Sequence, residues 1–493
     1  MSLPVVTKLT TPKGLSYNQP LGLFINNEFV VPKSKQTFEV FSPSTEEKIT
    51  DVYEALAEDV DVAAEAAYAA YHNDWALGAP EQRAKILLKL ADLVEEHAET
   101  LAQIETWDNG KSLQNARGDI GFTAAYFRSC GGWADKNTGD NINTGGTHLT
   151  YTQRVPLVCG QIIPWNASTL MASWKLGPVI ATGGTTVLKS AEATPLAVLY
   201  LAQLLVEAGL PKGVVNIVSG FGTTAGSAIA SHPKIDKVAF TGSTNTGKII
   251  MKLAAESNLK KVTLELGGKS PHIVFNDADL DRAVSYLVAA IFSNSGETCA
   301  AGSRVLVQSG VYDEVVAKFK KGAEAVKVGD PFDEETFMGS QVNEVQLSRI
   351  LQYIELGKEQ GATVVTGGGR AGDKGYFVKP TIFADVHKDM TIVKEEIFGP
   401  VVSVVKFDTI EEAIALANDS EYGLAAGIHT TNISTGVTVA NRIKSGTVWV
   451  NTYNDLHPMV PFGGFGASGI GREMGAEVMK EYTEVKAVRI KLT

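Results

Sequence analysis

Two glycine-flanked segments carry the groups best suited to covalent chemistry. Leu264-Glu265-Leu266-Gly267-Gly268-Lys269 offers a carboxylate, and Phe292-Ser293-Asn294-Ser295-Gly296-Glu297-Thr298-Cys299 offers a thiol. A structural cysteine usually sits among aliphatic neighbours, whereas Cys299 lies among small and polar residues that leave its sulfur reachable. A free thiol with a reference pKa of about 8.5 is only a few per cent thiolate at neutral pH, so a cysteine nucleophile needs a base or local donors. Glu265 is the candidate base.

These groups need a scaffold. From residue 155 to 266, short apolar runs alternate with stretches of helical period, the pattern of strand-helix units around a parallel sheet. Candidate strands are 160–163, 186–189, 214–219, 237–241 and 262–266. Helices are expected at 195–208, started by Thr194-Pro195 and stopped at Gly209, and at 247–255. This is a nucleotide-binding layout. A second series follows, with strands at 270–275, 304–308, 401–407, 425–429 and 447–451. Its helices fall at 279–292, 311–326, 344–358, 410–418 and 436–443. The expected class is α/β, with two doubly wound parallel-sheet domains joined near Glu265. Two alternating stretches, 148–154 and 486–492, fit neither series and read as half-buried strands. Such a terminal strand is covered either by a hairpin within the chain or by pairing across subunits.

The chain has 493 residues, enough for two or more domains. Its 55 acidic and 44 basic residues give a net charge of −11, which argues against a sequence-independent grip on nucleic acid or an anionic membrane. Three widely spaced cysteines, Cys130, Cys159 and Cys299, indicate neither a disulfide framework nor a zinc-ligand cluster, so no metal site is expected. No apolar run reaches the roughly 18 residues of a membrane helix. The first residues lack the apolar core of a secretory signal. A cytoplasmic location is expected, with the mitochondrial matrix as the alternative.

The sequence resembles the NAD(P)-dependent aldehyde dehydrogenase superfamily along nearly its whole length, most closely the tetrameric branch. The likeness rests on Ile163-Pro164-Trp165-Asn166, Leu188-Lys189, Phe240-Thr241-Gly242-Ser243, Glu265-Leu266-Gly267-Gly268, the Cys299 segment, Glu395-Glu396-Ile397-Phe398-Gly399-Pro400 and Pro461-Phe462-Gly463-Gly464, all in the family's order. It implies a Rossmann-like cofactor-binding domain (1–130 and 152–265), a catalytic domain (266–478) and a small β oligomerisation element (131–151 and 479–493) that assembles a homotetramer.

The resemblance also implies roles for residues that, read alone, have blander explanations. A strand-glycine-helix junction is more often a plain turn than a phosphate cradle, but Gly242 and Ser243 match the family's contacts to the pyrophosphate. Lys189 and Glu192 could be solvated charges; they match readers of the adenosine ribose hydroxyls. A carboxylate there would repel a 2′-phosphate, so NAD is expected over NADP. Glu396, Phe398 and Gln346 match contacts around the nicotinamide ribose, and Trp165 packs along the dinucleotide entry. Asn166 could be a helix cap before Ser168, and it matches the amide that stabilises an oxyanion. Glu265 would activate the water that hydrolyses a thioester formed on Cys299.

Lys175 and Glu473 match charged residues linked to proton relay. Leu170, Met171, Trp174 and Phe462 would line the aldehyde tunnel, with Ala167 and Ser293 standing where relatives often carry bulky aromatics. The expected activity is NAD-dependent oxidation of small aliphatic aldehydes to acids. The alternatives are a semialdehyde or betaine aldehyde dehydrogenase, a non-catalytic structural relative, and a cysteine hydrolase without redox chemistry.

Overall fold

The computed structural model describes residues 3–492. Strands Val158–Ile162, Thr185–Ser190, Val215–Ser219 and Lys237–Thr241 are buried at every position. That is the signature of parallel strands covered by helices on both faces. With Lys261–Glu265 they form the parallel centre of an eight-stranded sheet. Antiparallel strands flank this centre. Leu23–Ile25 and Glu28–Val30 lie on one side, and Gly469–Ile470 lies on the other, pairing with Leu264 and Glu265.

The second sheet has seven strands. Val401–Phe407, Arg304–Gln308, Pro271–Val274, Ala425–His429 and Thr447–Val450 run parallel, and the sequence anticipates all five. Thr381–Ala384 joins them in parallel, and Thr363–Thr366 pairs antiparallel at the edge. These last two were not anticipated.

Four helices were also not anticipated: Ala57–Ala70, Pro80–Glu96, Ala98–Asn109 and Leu113–Trp133. No strand separates them, so the strand-helix alternation that marks the later units is missing. Side chains from the last three share one core with the helices Ser168–Thr182 and Leu196–Glu207. Two expected helices begin three residues early because polar caps precede them. Ser243 accepts from the Thr246 amide to start Thr244–Ser257, and Asn432 accepts from the Ser434 and Thr435 amides to start Ile433–Arg442.

The expected domain limits shift in two places. His148–Pro156 pairs antiparallel with Thr483–Lys491 in the same chain, so the 151/152 boundary cuts through a strand. The terminal strand is therefore paired internally, with Leu149, Val485 and Ile490 left exposed on the two-stranded sheet. The 266–478 segment is not confined to the second domain either, since Gly469–Ile470 belongs to the first sheet.

That return strand depends on Gly469, whose φ of +132° is a glycine conformation and whose missing Cβ would lie 2.0 Å from the Leu264 carbonyl oxygen. Gly469→Ala should destabilise the protein by about 1–3 kcal/mol. A lowered thermal unfolding midpoint is the readout, and an unchanged midpoint would contradict this account of the edge.

Candidate active site

Cys299 follows a turn that the helix Leu280–Phe292 cannot continue. Asn294, Ser295 and Gly296 take φ values of 50°, 56° and 73°. A side chain on Gly296 would lie 2.2 Å from the Gly399 carbonyl carbon, so this turn seats directly against the Gly399-Pro400 backbone. The loop is tied on all sides. Ser295 donates to the Gly339 carbonyl, Gln341 donates to the Ser295 carbonyl, and the Val342 amide donates to the buried Glu297 carboxylate. The Tyr453 hydroxyl donates to the Ala300 carbonyl at 2.7 Å. Cys299 is half-buried and lines a cavity, whereas Cys130 and Cys159 are sealed in the interior.

Glu265 ends the strand Lys261–Glu265 on the same cavity, 3% exposed, and neither carboxylate oxygen has a hydrogen-bond partner. Burial pushes its pKa up to about 7; Lys175 and the Cys299 thiol oppose the rise, while Glu473 and Glu396 add to it. Burial, followed by the nearby Glu265 carboxylate, pushes the Cys299 thiol well above its usual range. The carboxylate thus disfavours ionisation of the thiol, while the thiol favours that of the carboxylate.

Asn166 is not a helix cap, since the N-cap of Ser168–Thr182 is Ala167. Its amide donates to the Glu297 carbonyl at 2.9 Å, and Asn294 donates to both the Asn166 and Glu297 carbonyls. Asn166 and the cysteine loop are therefore held together two residues before the thiol. Lys175 and Glu473 form a buried ion pair that does not line the cavity. Both act on the ionisation of Glu265, which places them near its carboxylate.

The cavity encloses ≈ 570 Å³ and draws on both domains. Gly242 and Ser243, at the N-terminus of Thr244–Ser257, face it from the first domain together with Trp165. Gln346, Glu396 and Phe398 face it from the second. Glu396 accepts from the Gly268 amide at 2.8 Å, and burial lifts its pKa to about 7. Gln346 donates to the Phe398 carbonyl, and Phe398 packs edge-on against Trp165 at 5.4 Å between ring centroids. A helix N-terminus suited to phosphate, a carboxylate suited to ribose hydroxyls and two aromatic rings fit a dinucleotide. Lys189 and Glu192 lie outside the cavity lining, at the C-terminal edge of the parallel strands, bonded to each other at 3.2 Å.

Leu170, Met171, Trp174 and Phe462 all line the cavity, with Trp174 and Phe462 packed edge to face. The sequence reading missed Arg349, which donates to the Glu396 carbonyl, and the wall formed by Gln114, Asn115, Gly118 and Asp119. Arg349 is spaced one turn beyond Gln346 on the helix Glu344–Glu359, a signal that could have found it. The other four lie on Leu113–Trp133, where no motif singles them out.

Comparison with known proteins agrees with this geometry. Residues 29–488 match the model of the aldehyde dehydrogenase family. An aldehyde dehydrogenase from Aspergillus niger is 55% identical over 485 residues, covering 98% of each chain. The NAD+ complex of an aldehyde dehydrogenase from Bacillus cereus is 52% identical, with a TM-score of 0.94 over 96% of this chain and 97% of that one. An indole-3-acetaldehyde dehydrogenase from P. syringae, solved with NAD+ and IAA, is 41% identical, with a TM-score of 0.95 and the same coverage. With a thiol, a carboxylate and a two-domain cleft in matching order, the chain belongs to the aldehyde dehydrogenase family.

Proposed function

We propose that the chain oxidises uncharged aldehydes, small aliphatic ones among them, to carboxylic acids with NAD as the oxidant. The observation that carries this reading is that Cys299 and the unpartnered Glu265 carboxylate face one cavity, which also reaches the nucleotide-suited end of Thr244–Ser257.

In this reading the Cys299 thiol releases its proton to water as the sulfur attacks the aldehyde carbon, giving a thiohemiacetal whose oxyanion is met by Asn166. That amide has two N–H groups, and the bond to the Glu297 carbonyl fixes its orientation. NAD, held by Gln346, Glu396 and Phe398, would supply the two-electron acceptor for the hydride that the thiohemiacetal gives up in becoming a thioester. Glu265 then takes a proton from the water that attacks this thioester, and the acid leaves with the thiol restored. A base with a pKa of about 7 is half-ionised at neutral pH, which suits it to accept that proton and return it. The Lys175–Glu473 pair tunes this ionisation from behind.

The preference for NAD over NADP rests on Glu192 beside Lys189, where a 2′-phosphate would meet a carboxylate. The solved NAD+ complexes of relatives support the same cofactor. A homotetrameric assembly through the exposed two-stranded sheet and a cytoplasmic location complete the proposal. Among the described residues, Arg349 is the one cation lining the cavity and it is turned to the Glu396 carbonyl, which disfavours the carboxylate of a semialdehyde.

Three outcomes test this reading. Glu265→Gln should form the acyl-enzyme in a single-turnover burst yet lose about 10²–10⁴-fold in steady-state turnover; unaltered turnover would contradict the assigned base. Because the ionised form is the base, the wild-type rate of thioester hydrolysis should rise with pH through about 7, and Glu265→Gln should remove that limb. Steady-state kinetics with both cofactors should give NAD the larger kcat/KM, with Glu192→Ser narrowing the gap; an equal or better value for NADP in the wild type would refute the preference.

A further inference from the structure

Glu297 stands two residues before the thiol, 1% exposed, yet it is not among the residues that line the cavity. An acid buried there costs stability unless something compensates it. Burial pushes its carboxyl well above the usual carboxylate range, and the Val342 amide and Lys111 oppose the rise. Lys111 is committed elsewhere, to Glu105 at 3.3 Å and Asp119 at 2.6 Å. The hydrogen-bond partner of the Glu297 side chain is the Val342 amide, at 3.1 Å.

The two ends of this residue serve different parts of the site. Its carbonyl accepts from the Asn166 and Asn294 side-chain amides, both at 2.9 Å, and Asn294 also donates to the Asn166 carbonyl at 3.1 Å. One N–H of the Asn166 amide is thereby fixed, and the direction of the other follows from it. At the far end, Val342 precedes Asn343, which accepts from the Gln346 amide to cap the helix Glu344–Glu359. Ser295 and Gln341 tie the same two segments together, but they hold the turn two residues earlier. Without the Glu297 carboxyl, the amide of Val342, a residue 5% exposed, loses its acceptor. The loop would then have to shift to satisfy it.

Resting on the aldehyde oxidation proposed above, we infer that Glu297 is a positioning residue: its carboxyl, braced on the Val342 amide, sets the carbonyl that aims the Asn166 amide at the oxyanion formed on Cys299. What it supplies is an acceptor at the right reach, not a charge. The cofactor side stands without it, because the helix has its own cap and Gln346 and Arg349 donate to the Phe398 and Glu396 carbonyls.

The test is kcat/KM for acetaldehyde by NADH absorbance, with NAD affinity read separately by quenching of tryptophan fluorescence. Glu297→Ala should lower kcat/KM by about 10–100-fold while binding NAD within about threefold of the wild type. Glu297→Gln, which keeps an acceptor oxygen at the same reach, should stay within about threefold of the wild type in both. Asn166→Ala should cost about 10²–10³-fold, and adding Glu297→Ala to it should cost less than about twofold more, since one residue acts through the other. Should Glu297→Ala not fold, Glu297→Met, which fills the same space without an acceptor, takes its place in both backgrounds. A wild-type rate without the acceptor, a glutamine variant as slow as the alanine one, a matching loss of NAD affinity, or the full loss repeated in the Asn166→Ala background would overturn the inference while leaving the oxidation intact. No NADH from the wild type with any aldehyde would overturn the oxidation reading and this inference with it.

Discussion

A carboxylate buried without a hydrogen-bond partner beside a thiol is the constraint around which the molecule is organised. Burying such a group without compensation is costly, and proteins commonly neutralise it by shifting its pKa. Glu265 follows that rule, its pKa raised to about 7, and the thiol beside it is raised as well. The carboxylate adds to the rise of the thiol, while the thiol holds the rise of the carboxylate down. The Lys175–Glu473 ion pair, itself out of reach of solvent, supplies a fixed field behind them without entering the cavity. Losing either member would leave the other uncompensated, so the field and the fold are tied together.

The second constraint is the meeting of two sheets. Gly268 donates its amide to Glu396, and Gly296 lies against the Gly399 backbone. These contacts hold the turn after Glu265 and the cysteine loop against the 396–399 segment on one wall of the cleft. Phe398, with a φ of 61°, then turns its ring onto Trp165 across the same opening. Cofactor-side and reacting groups are therefore registered to each other by a backbone contact, a backbone-to-carboxylate hydrogen bond and a ring contact.

Much of this was legible in the sequence because chemistry-bearing residues sit in short segments bounded by glycine. Trp165, Asn166, Gly242, Ser243, Glu265, Cys299, Gln346, Glu396 and Phe398 all reach one cavity, as do the four tunnel residues. Strands Arg304–Gln308, Val401–Phe407 and Ala425–His429 fall at the expected residues, since apolar runs buried on both faces have sharp polar limits. The helix Leu113–Trp133 was illegible for the opposite reason. Gln114, Asn115 and Gly118 become part of the site only because that helix packs on Ser168–Thr182, and no local spacing records that contact. The edge strand Gly469–Ile470 has two residues, too few to show an alternation.

That short strand has a consequence for how the protein is made. Lys261–Glu265 acquires its outer neighbour only when residues 469–470 have left the ribosome, and His148–Pro156 waits longer still for 483–491. Translation of more than two hundred residues separates Glu265 from the strand beside it. A nascent chain halted anywhere in that interval carries Glu265 on an uncovered sheet edge, so this side of the cleft is completed only near the close of synthesis.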